Sequence, residues 1–325
     1  MKAIICKEWC MPEDLAISEV PNPINDKDSV RIDVHAAGVN FPDVLIIQGK
    51  YQFKPDFPFS PGSEVSGVVS EIGRNVRNYK IGDRVMAVTG HGAFAEQICV
   101  PENKLTKIPN EMDFITAASM SLTYGTSSYA MFQRAGVKKG DTVLIHGSTG
   151  GVGITALEIS KVMGANVIAT ASSEKKLLVA KEYGADHCIN YSDGHFKDKV
   201  KELTDGNGAD KIYDPVGGDI FNQSLRCISW NGRILVIGFA SGNIPNPPMN
   251  LPLLKNCSIV GVFWGAWRER EPEGHNNNMK IILDWWKEKK IKPKISRVFS
   301  MEETKDALKA LVNREVLGKA VIKIR

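Results

Sequence analysis

The sequence predicts an α/β protein, with a doubly wound parallel sheet set into a chain whose first hundred residues are β-rich. Three observations predict it. From Val143 onward, short apolar runs alternate with amphipathic helical stretches, the pattern of parallel strands joined by right-handed crossovers. A glycine cluster sits at the first strand-to-helix turn of that alternation. Upstream of it, short alternating strands are punctuated by glycine and proline.

The elements follow in order. Val30, Ile32 and Val34 alternate with Arg31, Asp33 and His35, the period of a half-buried strand, and residues 36–43 end it in a loop. Residues 57–64 form a turn rich in proline and glycine, leading to strands at 65–72 and 84–88. These short strands suggest a small barrel or a partly open sheet. Residues 114–130 turn helical and alanine-rich and mark the entry to a second domain. Strands are then expected at 143–146, 166–171, 187–190, 211–214, 233–239 and 258–262, with helices at 174–183, 195–204 and 219–229 between them. The rhythm stops after Trp264. A capping-box start at Ser300 to Glu303 precedes a helical face of Ala307, Leu308, Leu311 and Val312. Residues 318–324 read as a closing strand that rejoins the first domain.

The glycine turn carries the chemistry. A buried-strand run at 143–145 is followed by Gly147, Gly150, Gly151 and Gly153, then by Ile154, Leu157 and Ile159 on a helical face. Glycines let the backbone approach a diphosphate, and a helix N-terminus offers free N–H groups and about half a positive charge. Gly150, Gly151, Val152 and Gly153 are therefore candidate cofactor-binding residues, with Ser148 standing where the common fingerprint has its first glycine. An NAD site places Asp or Glu at the tip of the next strand, but here the tip reads Ala169-Thr170-Ala171-Ser172-Ser173. Ser172, Ser173 and Lys176 suit the extra 2′-phosphate of NADPH. A second reading has Ser173 capping the helix and Lys176 solvated, and Glu174, one residue away, leaves room for dual use.

Bulk properties narrow the class. A chain of 325 residues, 43% hydrophobic and 24% charged, is that of a globular protein of about two domains. Its net charge of +4 is mild, and no Lys/Arg run is long enough for a nucleic-acid groove. No window approaches the roughly 18 apolar residues of a membrane helix. The start lacks the apolar core of a signal peptide, so a cytoplasmic location is expected. The six cysteines show neither Cys-x-x-Cys nor disulfide-framework spacing and read as reduced thiols. No Ser-His-Asp or Cys-His arrangement stands out, and His91, His146, His195 and His275 read as structural or surface residues. The aromatic and basic stretch 263–270 has two readings: a wall of a large acceptor pocket whose arginines meet an acyl-CoA phosphate, or a packed loop with solvated charges.

Residues 37–43 (Ala-Gly-Val-Asn-Phe-Pro-Asp), 61–67 (Pro-Gly-Ser-Glu-Val-Ser-Gly) and 143–161, Gly184-Ala185-Asp186 with Ile189-Asn190-Tyr191, and Gly318-Lys319 together resemble the zinc-independent branch of the medium-chain dehydrogenase/reductase superfamily. These are the quinone oxidoreductases related to zeta-crystallin, and the resemblance runs nearly end to end. It implies a GroES-like catalytic domain at 1–120 completed by 265–325, a Rossmann NADPH-binding domain at 121–264, and a homodimer. By the same resemblance Lys176 and Tyr191 hold the 2′-phosphate. Asn40 and Thr126 flank the nicotinamide, with Tyr51 at the substrate mouth, so these three are the candidate catalytic residues. Val236, Gly238, Phe239 and Phe263 line the nicotinamide side. Without the resemblance, Asn40 reads as a loop asparagine bonding its own backbone.

The zinc branch of the superfamily carries cysteine near Asn40 and histidine at the position of Ser63, and neither is present here. The four-cysteine lobe is also missing, since Cys99 is the only cysteine between Cys10 and Cys188, so no metal is expected. Two departures from the pattern are Ser148-Thr149 in the glycine turn and Phe94 where many relatives carry tyrosine. The expected function is NADPH-dependent, zinc-independent reduction of quinones or other conjugated carbonyl acceptors. The alternatives are an enoyl-thioester (acyl-CoA) reductase, or a nucleotide-binding protein with a non-catalytic structural or RNA-binding role. The weak charge and intact glycine turn count against the last.

Overall fold

The structure, a computed structural model, describes residues 1–325. In chain order its strands are β1 (Lys2–Ile5), β2 (Ala16–Glu19), β3 (Ser29–Val39), β4 (Glu64–Ile72), β5 (Arg84–Val88), β6 (Gln97–Pro101) and β7 (Leu105–Lys107). They continue as β8 (Thr142–Ile145), β9 (Asn166–Ala171), β10 (His187–Asn190), β11 (Ala209–Asp214), β12 (Ile228–Val236), β13 (Ser258–Gly261), β14 (Ile295–Ser300) and β15 (Lys319–Lys323). The chain folds into two compact units, Met1–Leu122 with Pro293–Arg325, and Thr123–Lys292.

The first unit is built on β3. Its eleven residues alternate as the sequence indicates, and Val30, Ile32 and Val34 are fully buried. Such length lets one strand serve three neighbours: β6 along its first half, β4 along most of its length and β15 along its last four residues. The sheet runs β14-β15-β3-β4-β5-β7. The closing strand β15 thus rejoins the first unit as expected, with Ala320 opposite Val39. Helix α1 (Phe41–Ile47) follows β3 at once and buries Val44, Ile46 and Ile47 in a core shared with Val65, Val85 and Phe94.

The second unit holds a six-stranded parallel sheet in the order β10-β9-β8-β11-β12-β13, the doubly wound arrangement in which two halves diverge from a central strand. Helices α2 (Phe114–Ala117) and α3 (Ser121–Tyr129) precede it, α2 lying in the first unit. The crossovers are α4 (Gly151–Val162), α5 (Glu174–Glu182), α6 (Phe196–Leu203) and α7 (Gly218–Ser224). Helix α7 stops five residues short of the expected 229. The reason is that Ile228 pairs with Ala209, so β12 begins there, with Asn231 at φ +62° as an irregularity before Arg233 resumes the register.

The return to the first unit comes at Pro293 rather than at 265, because α8 (Asn250–Lys255) leads into α9 (Trp264–Arg270) and α10 (Pro272–Lys287), which belong to the second unit. Aromatic packing ties them there. Trp267 stacks on Tyr129 at 4.3 Å, and the Trp264 ring lies so close to Gly125 that a Cβ there would meet it at 2.5 Å. Asn278 exchanges hydrogen bonds with Gln133. Periodicity alone does not register such long-range aromatic anchoring. The last helix, α11 (Thr304–Val312), buries Ala307 and Leu308 of the expected face, with Leu311 half-buried, but Val312, at the helix end, is exposed.

One buried carboxylate ties α4 to its surroundings. Glu158 accepts from the Tyr124 hydroxyl on α3 and from the Lys292 backbone N–H, each at 2.6 Å. No cation is among these partners, and burial pushes the Glu158 carboxyl up from 4.5 to about 7. A carboxyl whose folded pKa is raised binds its proton more tightly when folded, so its stabilising contribution is present below 4.5 and is lost as pH rises through about 7. Glu158→Gln should therefore remove a loss of at most roughly 3 kcal/mol across that window. Denaturant unfolding of both proteins between pH 4.5 and 7.5 checks it: the wild-type curve should fall more steeply, and parallel pH dependences would refute the assignment.

Candidate active site

At the nucleotide end, β8 is buried along its length and delivers the chain into the glycine turn. Gly147 adopts φ +53°, a conformation glycine takes without strain. Ser148 is fully buried, and its hydroxyl and backbone N–H both donate to the Thr170 carbonyl, at 3.0 and 3.2 Å. It pins the turn to β9. Gly150 is the N-cap of α4 and has no side chain to occupy the helix terminus. At Gly153 a Cβ would lie 2.1 Å from the Gly147 carbonyl oxygen, so only glycine closes this turn. The result is an unobstructed row of N–H groups at a helix N-terminus, which fits a diphosphate.

The strands of this parallel sheet present their C-terminal ends on one edge, and the remaining nucleotide candidates lie along it. Ser172 and Ser173 follow β9. Ser173 caps α5, its hydroxyl accepting from the Lys176 N–H, while the Lys176 ammonium reaches the Ser172 hydroxyl at 3.4 Å. The capping role read for Ser173 is therefore seen, and the Lys176 ammonium is held beside Ser172. Tyr191 follows β10 and donates its N–H to the Ala171 carbonyl, which sets it beside the serines. The Glu174 carboxylate accepts from Asn190 Nδ2 at 3.2 Å. Val236 ends β12, Gly238 and Phe239 follow it, and Phe263 follows β13, with both phenylalanines exposed. Thr126 is half-buried on α3.

Asp214, which sequence reasoning passed over, ends β11 beside the glycine turn. One carboxylate oxygen accepts from the Val216 and Gly217 N–H groups at 2.7 and 3.0 Å, and the other is buried with no protein partner. Burial raises its pKa to about 6.

In the first unit, Asn40 and its neighbours form a buried polar cluster. Asn40 is the N-cap of α1, but its side chain does not cap the helix. Its carboxamide is engaged at both ends: Oδ1 accepts from the Lys319 ammonium at 2.6 Å, and Nδ2 donates to Glu64 Oε2 at 3.0 Å. Lys319 also donates to Glu64 Oε2 at 2.8 Å and to the Val39 carbonyl at 3.1 Å, which uses all three of its N–H donors. The other Glu64 oxygen accepts from the Leu122 N–H. Asp43 accepts from the Asn40 N–H at 2.8 Å and from the Ser63 hydroxyl at 2.7 Å. Burial raises its carboxyl to about 6. Tyr51, half-buried just beyond α1, has its phenol pushed up by burial and then by the Asp43 charge. Gly38 is required here, since a Cβ would lie 2.1 Å from the Ala118 carbonyl and 2.5 Å from Glu64 Oε2.

With this geometry established, comparison with known proteins is informative. Residues 26–110 match the alcohol dehydrogenase GroES-like domain, and 151–277 match the family described as zinc-binding dehydrogenase. The chain is 41% identical over 325 residues to the quinone oxidoreductase-like protein 2 homolog of Nematostella vectensis, covering 99% of this chain and 88% of that one. The chain belongs to the quinone oxidoreductase family of medium-chain dehydrogenases/reductases. Its architecture is shared with the Pseudomonas syringae quinone oxidoreductase, at a TM-score of 0.93, 29% identity and 99% coverage of both chains. The same holds for the Escherichia coli quinone oxidoreductase complexed with NADPH, at a TM-score of 0.93, 25% identity and full coverage of both.

Asn40 and Ser63 are both hydrogen-bonded to protein groups, Asn40 to Lys319 and Glu64, and Ser63 to Asp43. No group of three or more His, Cys, Asp or Glu side chains is arranged to hold a metal ion. His146 is fully buried between Thr170 and Ser224, with its pKa lowered to about 3 by burial, and it is structural. His195 is exposed, and burial depresses His275 to about 4. Phe94 is fully buried in the first core rather than facing a site. The stretch read as a loop is the helix α9, and Arg268, expected to be solvated, is largely buried over the Trp264 ring and pairs with Glu269.

The Asn40 cluster depends on one ammonium. Lys319→Met should destabilise the protein by roughly 3–5 kcal/mol by leaving Glu64 buried without its cation, and Glu64→Gln in the same chain should restore part of the loss. Urea unfolding of the single and double variants measures both. An unchanged midpoint for Lys319→Met would show that the pair carries no such weight.

Proposed function

We propose that this chain is an NADPH-dependent, zinc-independent reductase of quinones or other conjugated carbonyl acceptors. The observation that carries the reading is the donor set at the C-terminal edge of the parallel sheet. There the uncapped α4 N-terminus suits a diphosphate, while Ser172, Ser173, Lys176 and Tyr191 suit a 2′-phosphate. No acid stands at the tip of β9, and the nearest, Glu174, is held by Asn190. The NADPH named with the Escherichia coli relative supports the same choice.

Bound NADPH supplies a hydride, and the acceptor must already be electrophilic through conjugation. The chain's own residues then bind and orient. In the second unit, Gly150, Gly151, Val152 and Gly153 are proposed to hold the diphosphate. Thr126, Val236, Gly238, Phe239 and Phe263 are proposed for the nicotinamide end. In the first unit, Asn40 is proposed as a rigid wall of the reacting region, its amide fixed by Lys319 and Glu64. Tyr51, with a protonated phenol, is the candidate donor toward an acceptor oxygen. Zinc independence is supported by the engagement of Asn40 and Ser63 with protein partners.

A homodimer is proposed from the far edge of the second sheet. There β13 is an unpaired edge strand, and Leu253, Leu254, Ile259 and Phe263 are exposed near it. No helix is long and apolar enough to cross a membrane, and six free cysteines fit a reducing, cytoplasmic compartment.

Two measurements test the reading. Lys176→Ala should weaken NADPH binding by roughly 1–3 kcal/mol and leave NADH almost unaffected, since only NADPH carries the 2′-phosphate. Equal losses for both nucleotides in fluorescence titrations would remove Lys176 from that role. The chemistry is tested by following loss of reduced-nicotinamide absorbance with quinones, enones and enoyl-CoAs after exhaustive chelation. Turnover of quinones or free enones is expected, with negligible NADP-dependent oxidation of ethanol or benzyl alcohol. Robust alcohol oxidation with silence on every conjugated acceptor would overturn the assignment, and a large preference for enoyl-CoAs would move it to thioester reduction.

A further inference from the structure

Two cysteines that the sequence spaces four apart come together at the start of the chain. Cys6 Sγ and Cys10 Sγ lie 3.6 Å from each other in the first unit. Cys6 is buried and its backbone is fixed: its N–H donates to the Phe59 carbonyl at 2.8 Å, and its carbonyl accepts from the Phe59 N–H at 3.1 Å. Cys10 is half-buried, and its N–H donates to the Ile47 carbonyl at the end of α1. Between them Lys7, Glu8 and Trp9 form an exposed bend with no helix or strand bonds. The Cys6 thiol also donates to the Glu8 carbonyl within the bend, at 3.1 Å. The thiols of Cys99, Cys188 and Cys227 likewise point to backbone carbonyls, those of Pro23, Leu177 and Ser224, but only Cys6 and Cys10 have a second sulfur as a bonding partner.

We propose that Cys6 and Cys10 are an oxidisable dithiol, a modification site at which a hydroperoxide closes a disulfide across the exposed bend. Cys10 is the attacking thiol, being the more accessible of the two. Its sulfur displaces one oxygen of the peroxide, giving a sulfenic acid on Cys10 and releasing water. The Cys6 thiol, already adjacent, then attacks that sulfur and expels the second water. Two thiols and one hydrogen peroxide thus become one disulfide and two waters, with the sulfurs oxidised and the peroxide reduced. Closing the bond shortens the 3.6 Å separation of the sulfurs, and the bend that must adjust includes Trp9, whose ring packs edge-on against Phe57. Burial pushes both thiols up, Cys6 to about 12, so the reaction is a slow response to accumulated oxidant and accelerates with pH. A dithiol reductant reverses it.

Lys7 lies between the two sulfurs, which makes the bond directly readable. The intact protein is treated with hydrogen peroxide, alkylated in denaturant and digested with trypsin without reduction. Peptide 3–7 should then appear linked to peptide 8–27, and dithiothreitol should release them. Cys10→Ser should abolish the link, whereas Cys6→Ser should leave a sulfenic acid on Cys10 that dimedone traps. The wild-type digest decides the matter alone if a variant fails to fold. The proposal is overturned if peptides 3–7 and 8–27 are recovered separately alkylated while Cys99, Cys188 or Cys257 is oxidised. It is equally overturned if Cys10 is found joined to a second chain. The mass readout does not depend on turnover, so the fate of the proposed reductase activity does not bear on it.

Discussion

The ion pair between Lys319 and Glu64 is the interaction on which the first unit's polar interior depends. Neither group is more than marginally exposed, and the desolvation of two such charges is repaid only when every donor and acceptor is used. Lys319 meets that condition through Val39, Asn40 and Glu64, and Glu64 through Lys319, Asn40 and the Leu122 N–H. The consequence is topological as well as electrostatic. Three segments far apart in sequence, the end of β3, the start of β4 and the start of β15, are fixed against each other at one point. The backbone register of Gly38 opposite Glu64 and of Val39 opposite Ala320 puts the three side chains there. The absence of a side chain at Gly38 leaves the room they occupy.

How much of this was legible in the sequence follows from how far apart the interacting residues lie. The parallel sheet and its glycine turn rest on local periodicity and on residues within one turn, and each strand is found, although β12 runs Ile228–Val236 rather than over the expected 233–239. Ser173 and Lys176 are read just as locally, since the capping hydroxyl and the ammonium beside Ser172 lie within one helical turn. The Lys319 pair was not legible as an interaction, because its partners lie 255 and 279 residues away. Its one local signal was a lysine opening a strand that is otherwise apolar up to Lys323. The early end of α7 and the membership of α9 and α10 in the second unit likewise rest on long-range partners, Ala209 for β12 and Tyr129 for Trp267. Cys6 and Cys10 are close in sequence, but no periodicity rule brings thiols four residues apart together outside a helix.

The two buried carboxylates of the cluster differ in a way that bears on the proposed chemistry. Glu64 has a cation, whereas Asp43 receives only the neutral donors Ser63 and Asn40, and burial therefore dominates its pKa. On the reading proposed here, the two positions that carry zinc ligands in related enzymes hold neutral side chains that spend their hydrogen bonds on these carboxylates. A dication near both acids would offset their charge together. A single ammonium offsets one, and the other moves toward its neutral form. The charges of this cluster thus close within the protein, Lys319 answering Glu64 while the Asp43 carboxyl is shifted toward its protonated form. On the proposed reading, an Asn40 amide held between Lys319 and Glu64 orients an acceptor whose own conjugation makes it reactive, as a quinone or enone is and an unactivated ketone is not.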